Sequence, residues 1–170
     1  PPSHVDVVVI RDRILYLKRD DKLQLPRSYV SGNKARKMLA LEYLQPFPQA
    51  VVSYGGPQSN AMLALAAVVH FQNIRLGLTT DDPNRKRFVY YTKTLPKLLR
   101  RHPSGNLYRA RALGMELIEL SHTDYNNLFG GDSGGSDTAP VNLIAPVQGD
   151  SIWIPQGGAC SMGVSGTQCL

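Results

Sequence analysis

The stretch Ala50–Asn60, AVVSYGGPQSN, is the clearest indication of an α/β fold in this chain. It begins with residues typical of a buried strand and continues through a glycine pair, and an apolar segment typical of a buried helix follows from Ala61 to about His70. Glycine lets the backbone approach a ligand closely, and Ser59 or Asn60 can cap the helix. The N–H groups of the first helical turn favour a carboxylate or a phosphate. The sequence therefore predicts a strand, a turn and a helix that face an anion.

Similar patterns continue on both sides of this stretch. Between about Pro48 and Leu120, strand and helix patterns alternate, which predicts a parallel sheet flanked by helices. The alternating segments, in order, are residues 50–54, 61–71, 74–78, 85–101, 107–113 and 116–120. Upstream, Val5–Ile10 and Ile14–Lys18 predict a hairpin that turns at residues 11–13. Downstream, Phe129–Thr138 has the composition of a flexible loop, and residues 151–154 predict a short strand.

A second motif, SGNKARK at Ser31–Lys37, places a lysine where a glycine-containing turn becomes a helix. Apolar periodicity predicts this helix from Lys34 to about Leu44, and Pro46 is the stop signal. Ser31 or Asn33 can cap its beginning. The lysine is therefore expected near a helix N-terminus.

That position disfavours a positive charge on Lys34. The macrodipole opposes a cation at a helix N-terminus, and the neighbours Arg36 and Lys37 oppose it further. The sequence therefore predicts a lowered pKa for Lys34 and an available free amine. A free amine can form a Schiff base with an aldehyde.

Together with the run Tyr16–Asp21, YLKRDD, the two motifs resemble the pyridoxal-phosphate enzymes of the 1-aminocyclopropane-1-carboxylate deaminase and D-cysteine desulfhydrase family. That family has the tryptophan synthase β-subunit fold type. Two later stretches, Gly105–Glu116 and Ile154–Gly166, are also similar to it, so the resemblance covers nearly the whole chain in the right order. It implies an α/β protein with parallel sheets flanked by helices. The implied parts are residues 1–47 in the large cofactor domain, 48–122 as the small domain, 123–150 as a flexible connecting loop, and 151–170 as the return into an incomplete large domain.

Carried over residue by residue, the resemblance implies that Lys34 forms the internal aldimine with pyridoxal 5'-phosphate. Asn60 would bind the 3-hydroxyl of the cofactor, and Gln58 and Ser59 would hold the carboxylate of a small amino-acid substrate. A lysine displaced by the substrate amine becomes a base beside Cα. Lys34 and Ser59 are therefore the implied catalytic residues, for deamination with ring opening or for β-elimination of sulfide and ammonia.

Two function classes are consistent with this resemblance. The family's phosphate-binding loop, its partner of the pyridine nitrogen and a catalytic tyrosine would follow Leu170, so the chain is expected to be the front half of such an enzyme. It is then either a pyridoxal-phosphate-dependent lyase or deaminase, or a non-catalytic truncated fragment or pseudoenzyme of that family. The resemblance is compatible with a homodimer of the complete enzyme, and it implies neither a nucleic-acid nor a membrane partner.

A basic module that binds nucleic acid is a minor alternative. The net charge is +6, and residues 83–111 contain nine Lys or Arg residues and no acid. Aromatic residues lie between the basic ones, as on a nucleic-acid surface. The large apolar residues of this segment recur at roughly helical spacing, which favours one or two helices with a solvated basic face, broken near Pro96. These apolar residues are Phe88, Tyr91, Leu95, Leu98 and Leu99.

Composition indicates a globular chain. Its 170 residues are 42% hydrophobic and 19% charged, which suits one core or parts of two. The longest apolar stretch, Ala61–Phe71, is too short to span a bilayer, and no signal-peptide pattern is present, so a cytoplasmic or an organellar location is open. The chain begins without Met and is expected to be processed or partial. Cys160 and Cys169 predict reduced thiols and no metal site.

Overall fold

The structure, a computed structural model, describes residues 4–130, 150–158 and 160–168. The strands are β1 (Val5–Ile10), β2 (Arg13–Lys18), β3 (Ala50–Tyr54), β4 (Arg87–Lys93), β5 (Met115–Leu120) and β6 (Ser151–Ile154). The helices are α1 (Asn33–Tyr43), α2 (Asn60–Leu76), α3 (Lys97–Arg101), α4 (Gly105–Ala112), α5 (His122–Phe129) and α6 (Ser161–Gln168). Among the described helices, none combines the length and the apolar character needed to cross a membrane.

Four strands form one parallel sheet in the order β5-β4-β3-β6. From β3, the chain adds β4 and β5 successively on one side, and β6 then pairs with the other side of β3. The strand order therefore reverses between β3 and β6. In open α/β sheets, ligands bind outside the carboxyl ends of the strands at such a point. The predicted α/β class, with a parallel sheet flanked by helices, is confirmed at this level.

Apolar layers cover both faces of the sheet. On one face, Phe88 and Tyr90 of β4 pack with buried residues of α1, α2 and α4. On the other face, Val89 and Tyr91 pack with Phe129 of α5. Successive strand residues point to opposite faces, so a strand that is covered on both sides is apolar throughout.

This burial explains why the prediction for residues 85–101 was wrong. Residues 87–93 form β4, and only Lys97–Arg101 is helical within the expected helix. The run FVYY is continuous because both faces of β4 are buried, so its apparent helical spacing does not report a helix. The basic residues of this segment therefore do not form one solvated helical face.

A second difference lies at the end of α2. The expected strand at 74–78 does not form, because α2 continues to Leu76 and ends at Gly77, which adopts the left-handed conformation with φ 68°. From this point on, strands lie where the alternating pattern predicted helices, and a helix lies where it predicted a strand. Residues 105–112 form the helix α4, and residues 115–120 form the strand β5.

The beginnings of α1 and α2 lie close to the predicted positions, but only one predicted cap is present. The N-cap of α1 is Gly32, with φ 69° and no side-chain hydrogen bond, so the prediction of Ser31 or Asn33 as cap was wrong. The N-cap of α2 is Ser59, whose hydroxyl accepts a hydrogen bond from the backbone N–H of Met62 at 3.3 Å. Ser59 is one of the two residues that were predicted to cap this helix.

The later part of the chain bears on the predicted domains. Strand β6 forms where it was predicted and pairs with β3, in the same sheet as the strands of the predicted small domain. The division of the chain into domains stays a prediction. Of the predicted flexible loop at 123–150, residues 123–129 belong to α5, and residues 131–149 lie outside the described residues. The loop prediction for Phe129–Thr138 falls mostly on that part.

The hairpin of β1 and β2 is confirmed and forms a separate two-stranded antiparallel sheet. Its turn residues Arg11 and Asp12 both have positive φ, as tight hairpin turns require. Unlike the parallel sheet, the hairpin leaves its large apolar side chains exposed within the described structure, and Tyr16 is 75% exposed. The other exposed residues are Val5, Val7, Val9, Ile10, Ile14, Leu15 and Leu17.

Candidate functional site

The loops that follow β3 and β6 meet at the carboxyl edge of the sheet, where the strand order reverses. Gly55, directly after β3, has φ 147°. A Cβ at Gly55 would lie 2.5 Å from the hydroxyl oxygen of Tyr90 and 3.4 Å from Cγ of Gln156 in the loop after β6. The glycine therefore allows the two loops to approach each other.

The loop after β6 is also bound by two lysines of α1. The backbone oxygen of Gly157 accepts a hydrogen bond from Nζ of Lys34 at 3.3 Å and from Nζ of Lys37 at 3.1 Å. Residues that are distant along the chain, in the SGNKARK motif and after β6, are thereby brought together. Both segments are among those that carry the resemblance.

The pKa of Lys34 is lowered, which is the predicted direction, but mainly by a cause that the sequence did not indicate. Burial is the largest cause, and the charge of Lys37 adds to it. Arg36 was also expected to contribute, but its guanidinium forms an ion pair with Asp20 over 2.7 Å, which balances its charge. A lowered pKa increases the fraction of free amine at neutral pH.

Lys34 and Asn60 line one cleft of about 490 Å³ between the start of α1, the first turns of α2, and α4. This volume is in the range of small-molecule sites. On its other sides the cleft is lined by an apolar wall from α2 and by one arginine from α4. These residues are Leu63, Ala64, Ala67 and Arg109.

The side chain of Gln58 is bound to the start of α4. Its Nε2 donates to the backbone oxygen of Ser104 at 3.1 Å, and its Oε1 accepts from the backbone N–H of Asn106 at 2.9 Å. Gln58 thus satisfies an N–H group that a helix N-terminus leaves without a partner in the helix. A substrate-binding role for Gln58 stays a prediction.

Asn106 connects this loop to the cleft. Its Nδ2 donates to the backbone oxygen of Gln58 at 3.0 Å and to Oδ1 of Asn60 at 2.8 Å. The amide oxygen of Asn60 accepts this bond, so its amide nitrogen is left to donate a hydrogen bond to another group. The predicted contact of Asn60 with a phenolate oxygen requires such a donor, and the contact itself stays a prediction.

Ser59 has a structural role in the same loop, because its hydroxyl caps α2. Beneath the loop, the hydroxyl of Tyr90 donates to the backbone oxygen of Gly56 at 3.2 Å. Burial raises the pKa of Tyr90 well above its ordinary value, although hydrogen bonding to Ser59 acts in the opposite direction. Tyr90 therefore stays protonated and supports the loop. A catalytic or substrate-binding role for Ser59 stays a prediction.

Sequence reasoning missed Asn106 and Arg109 as site residues. Asn106 belongs to a stretch that carried the resemblance, but nothing in its spacing connected it with Asn60. Arg109 was treated only as part of the basic segment. Both reach the site because Leu107 and Ala110 of α4 are buried in the core that α2 also forms, and no local pattern predicts that packing.

No model of a known protein family matches the chain, and a search of curated proteins gives no match either. The function is therefore inferred from the arrangement of the residues in the site.

Proposed function

We propose that this chain is a pyridoxal-phosphate-dependent lyase or deaminase that acts on a small amino acid, with a fold similar to the tryptophan synthase β-subunit. Lys34 would be the residue to which the cofactor is attached. The observation that supports this most is that three segments meet around one lysine with a lowered pKa. Lys34 shares a cleft with Asn60, the first residue of α2 after the loop that follows β3, and it binds the loop after β6 through Gly157.

The residues of the cleft suit this cofactor. Lys34 offers an amine for an aldehyde, and Asn60 offers an amide donor for a phenolate oxygen. The apolar wall of Leu63, Ala64 and Ala67 suits the face of an aromatic ring. Pyridoxal phosphate, when bound, supplies an electron sink for a carbanion next to nitrogen.

Lys34 also has the properties of a base. As a free amine, its Nζ can take a proton from Cα of a bound amino acid. Burial and, to a lesser extent, the charge of Lys37 disfavour the protonated form of Lys34, which favours return of the proton to a product. The N–H groups at the start of α2 favour the substrate carboxylate at this end of the cleft.

Covalent labelling tests the assignment of Lys34. The purified chain is incubated with pyridoxal phosphate, its absorbance is recorded, and borohydride reduction is followed by peptide mapping. We expect stoichiometric label on Lys34, no such label in Lys34→Ala, and unchanged label in Lys37→Arg, which keeps the neighbouring charge. Label on another lysine, label spread over several lysines, or no change of absorbance would contradict the proposal.

A second measurement separates the two function classes. Sulfide release from D-cysteine and ammonia release from 1-aminocyclopropane-1-carboxylate are assayed with the labelled and unlabelled protein. Turnover of either compound that is lost in Lys34→Ala supports the enzyme. Stoichiometric label on Lys34 without turnover of either compound supports a non-catalytic member of the same family.

A further inference from the structure

We propose that the guanidinium group of Arg109 binds the anionic end of the ligand in the cleft, a carboxylate or a phosphate; the identity of that ligand rests on the function proposed above. This assigns a role in recognition to α4, which lies outside the three segments that meet around Lys34.

The charge of the cleft points to an anion. Its described lining contains two basic residues, Lys34 and Arg109, and no carboxylate. Because the pKa of Lys34 is lowered, its charge is the one more easily lost, whereas a guanidinium stays protonated. Arg109 is therefore the fixed positive charge of the cleft. The N-terminus of α2, which begins at Asn60, adds partial positive charge on the same side.

Some arginines of the described structure are held by carboxylates, and Arg109 is not one of them. Arg100 is paired with Glu119 over 2.7 Å, and Arg36 is paired with Asp20 over the same distance. Within the described part of the chain, Arg109 forms neither an ion pair nor a side-chain hydrogen bond. Its five N–H donors are thus available to a ligand, and a planar guanidinium can bind a carboxylate or a phosphate through two parallel hydrogen bonds.

The position of Arg109 is fixed by the packing of α4. Leu107 and Ala110 are buried in the core shared with α2. Asn106 and Arg109 are three residues apart and therefore lie on one face of the helix. Asn106 binds Asn60, which lines the cleft. The same face of α4 thus both orients Asn60 and presents Arg109 to the ligand.

The side chains that the resemblance assigned to the carboxylate are already engaged. Gln58 binds the start of α4, and the hydroxyl of Ser59 caps α2. Arg109 would therefore take the larger share of the anion, with backbone N–H groups as its neighbours.

The experiment compares each anionic probe with a related probe that lacks the anionic group. Pyridoxine 5'-phosphate is compared with pyridoxine by calorimetry; neither has an aldehyde, so binding does not depend on attachment to Lys34. On the protein loaded with pyridoxal phosphate, 1-aminocyclopropane-1-carboxylate is compared with its methyl ester. The variants are Arg109→Gln and the control Arg111→Gln, which removes the same charge from an exposed residue of α4 outside the cleft lining.

We expect Arg109→Gln to weaken the binding of an anionic probe about 10- to 100-fold, as for the loss of a hydrogen bond to a charged group, and to leave its uncharged partner unaffected. Arg111→Gln should leave both unchanged. A loss confined to pyridoxine 5'-phosphate identifies the cofactor phosphate as the anion, and a loss confined to the amino acid identifies the substrate carboxylate.

Unchanged affinity of Arg109→Gln for both anionic probes would overturn the proposal, and so would a failure of the unaltered protein to bind either of them. Circular dichroism of Arg109→Gln verifies that the variant is folded. Borohydride label on Lys34 is measured in the same variant, so that a failure of the anion site is distinguished from a failure of the proposed function.

Discussion

The side-chain amide of Asn106 donates a 2.8 Å hydrogen bond to Oδ1 of Asn60, a residue 46 positions earlier in the chain. This bond joins α4 to the first residue of α2. It fixes which end of the Asn60 amide accepts and which end donates. The orientation of a predicted cofactor contact is therefore set by a residue outside the motif that contains it.

Replacing this donor should change the state of the cofactor. In Asn106→Asp, a carboxylate would face Oδ1 of Asn60, so the Asn60 amide should rotate and withdraw its donor from the cleft. We expect a shifted absorbance maximum for the protein with pyridoxal phosphate, and about tenfold weaker cofactor binding. Asn84→Asp, an exposed change of equal charge, is the control. Identical spectra for Asn106→Asp and the unaltered protein would exclude this role for Asn106.

The charge of Lys37 should control the protonation of Lys34. Because this charge lowers the pKa of Lys34, Lys37→Gln should raise that pKa, and a smaller fraction of Lys34 would be free amine at neutral pH. The measurement is the pH dependence of Lys34 acylation, followed by mass spectrometry, which should move to higher pH. Lys37→Arg keeps the charge and should leave the profile in place. An unchanged profile in Lys37→Gln would assign the shift to burial alone.

Gly55 and Tyr90 should be energetically coupled. A Cβ at Gly55 would lie 2.5 Å from the Tyr90 hydroxyl, at φ 147°. We expect Gly55→Ala to lower the free energy of unfolding by at least the roughly 1–3 kcal/mol of backbone strain. Tyr90→Phe should lower it by about 1 kcal/mol because a hydrogen bond is lost. The double variant should lose less stability than the sum, because the clashing hydroxyl is gone.

Urea denaturation of the three variants measures this coupling. Gly56→Ala is the matched control, because a Cβ there meets no atom within 4 Å. It should cost little, and additive losses in the double variant would disprove the predicted contact.

Thr92 offers a stabilising substitution. Its side chain is fully buried in β4, and its hydroxyl has no hydrogen-bond partner among the described residues. An unsatisfied buried hydroxyl costs about 1–3 kcal/mol, so Thr92→Val should raise the free energy of unfolding by about 1 kcal/mol. Thr92→Ser, which keeps the hydroxyl and loses a methyl group, should lower it. Chemical denaturation measures the free energy of unfolding of each variant. A Thr92→Val variant less stable than the unaltered protein would contradict the prediction.

The fold could be predicted from the sequence where one face of an element differs from the other or where a turn has its own signature. The hairpin at Arg11 and Asp12 and the strand-turn-helix at Gly55 are of this kind. Strand β4 could not be predicted from periodicity, because it is buried on both faces and its apolar residues follow one another without a period. The end of α2 was missed because Ile74 and Leu76 are apolar but exposed.

The site could be predicted as far as its motifs extend. Lys34 and Asn60 were both proposed from their segments, and they line the same cleft. Arg109 and Asn106 could not be placed there from sequence, because their positions depend on how α4 packs against α2. For the same reason, the hydrogen bonds of Gln58 to residues 104 and 106 had no local signal.

The bond between Lys34 and the Gly157 carbonyl spans 123 residues of chain, and this separation has a consequence for synthesis on the ribosome. Strands β3, β4 and β5 precede Gly157 in the chain, so until residues 151–157 are made both lysines of α1 are without this acceptor and β3 is without its pairing to β6. Arrival of β6 supplies this pairing and the carbonyl in one event. A nascent chain stalled before Ser151 should therefore lack the selective labelling of Lys34 that the released chain is expected to show.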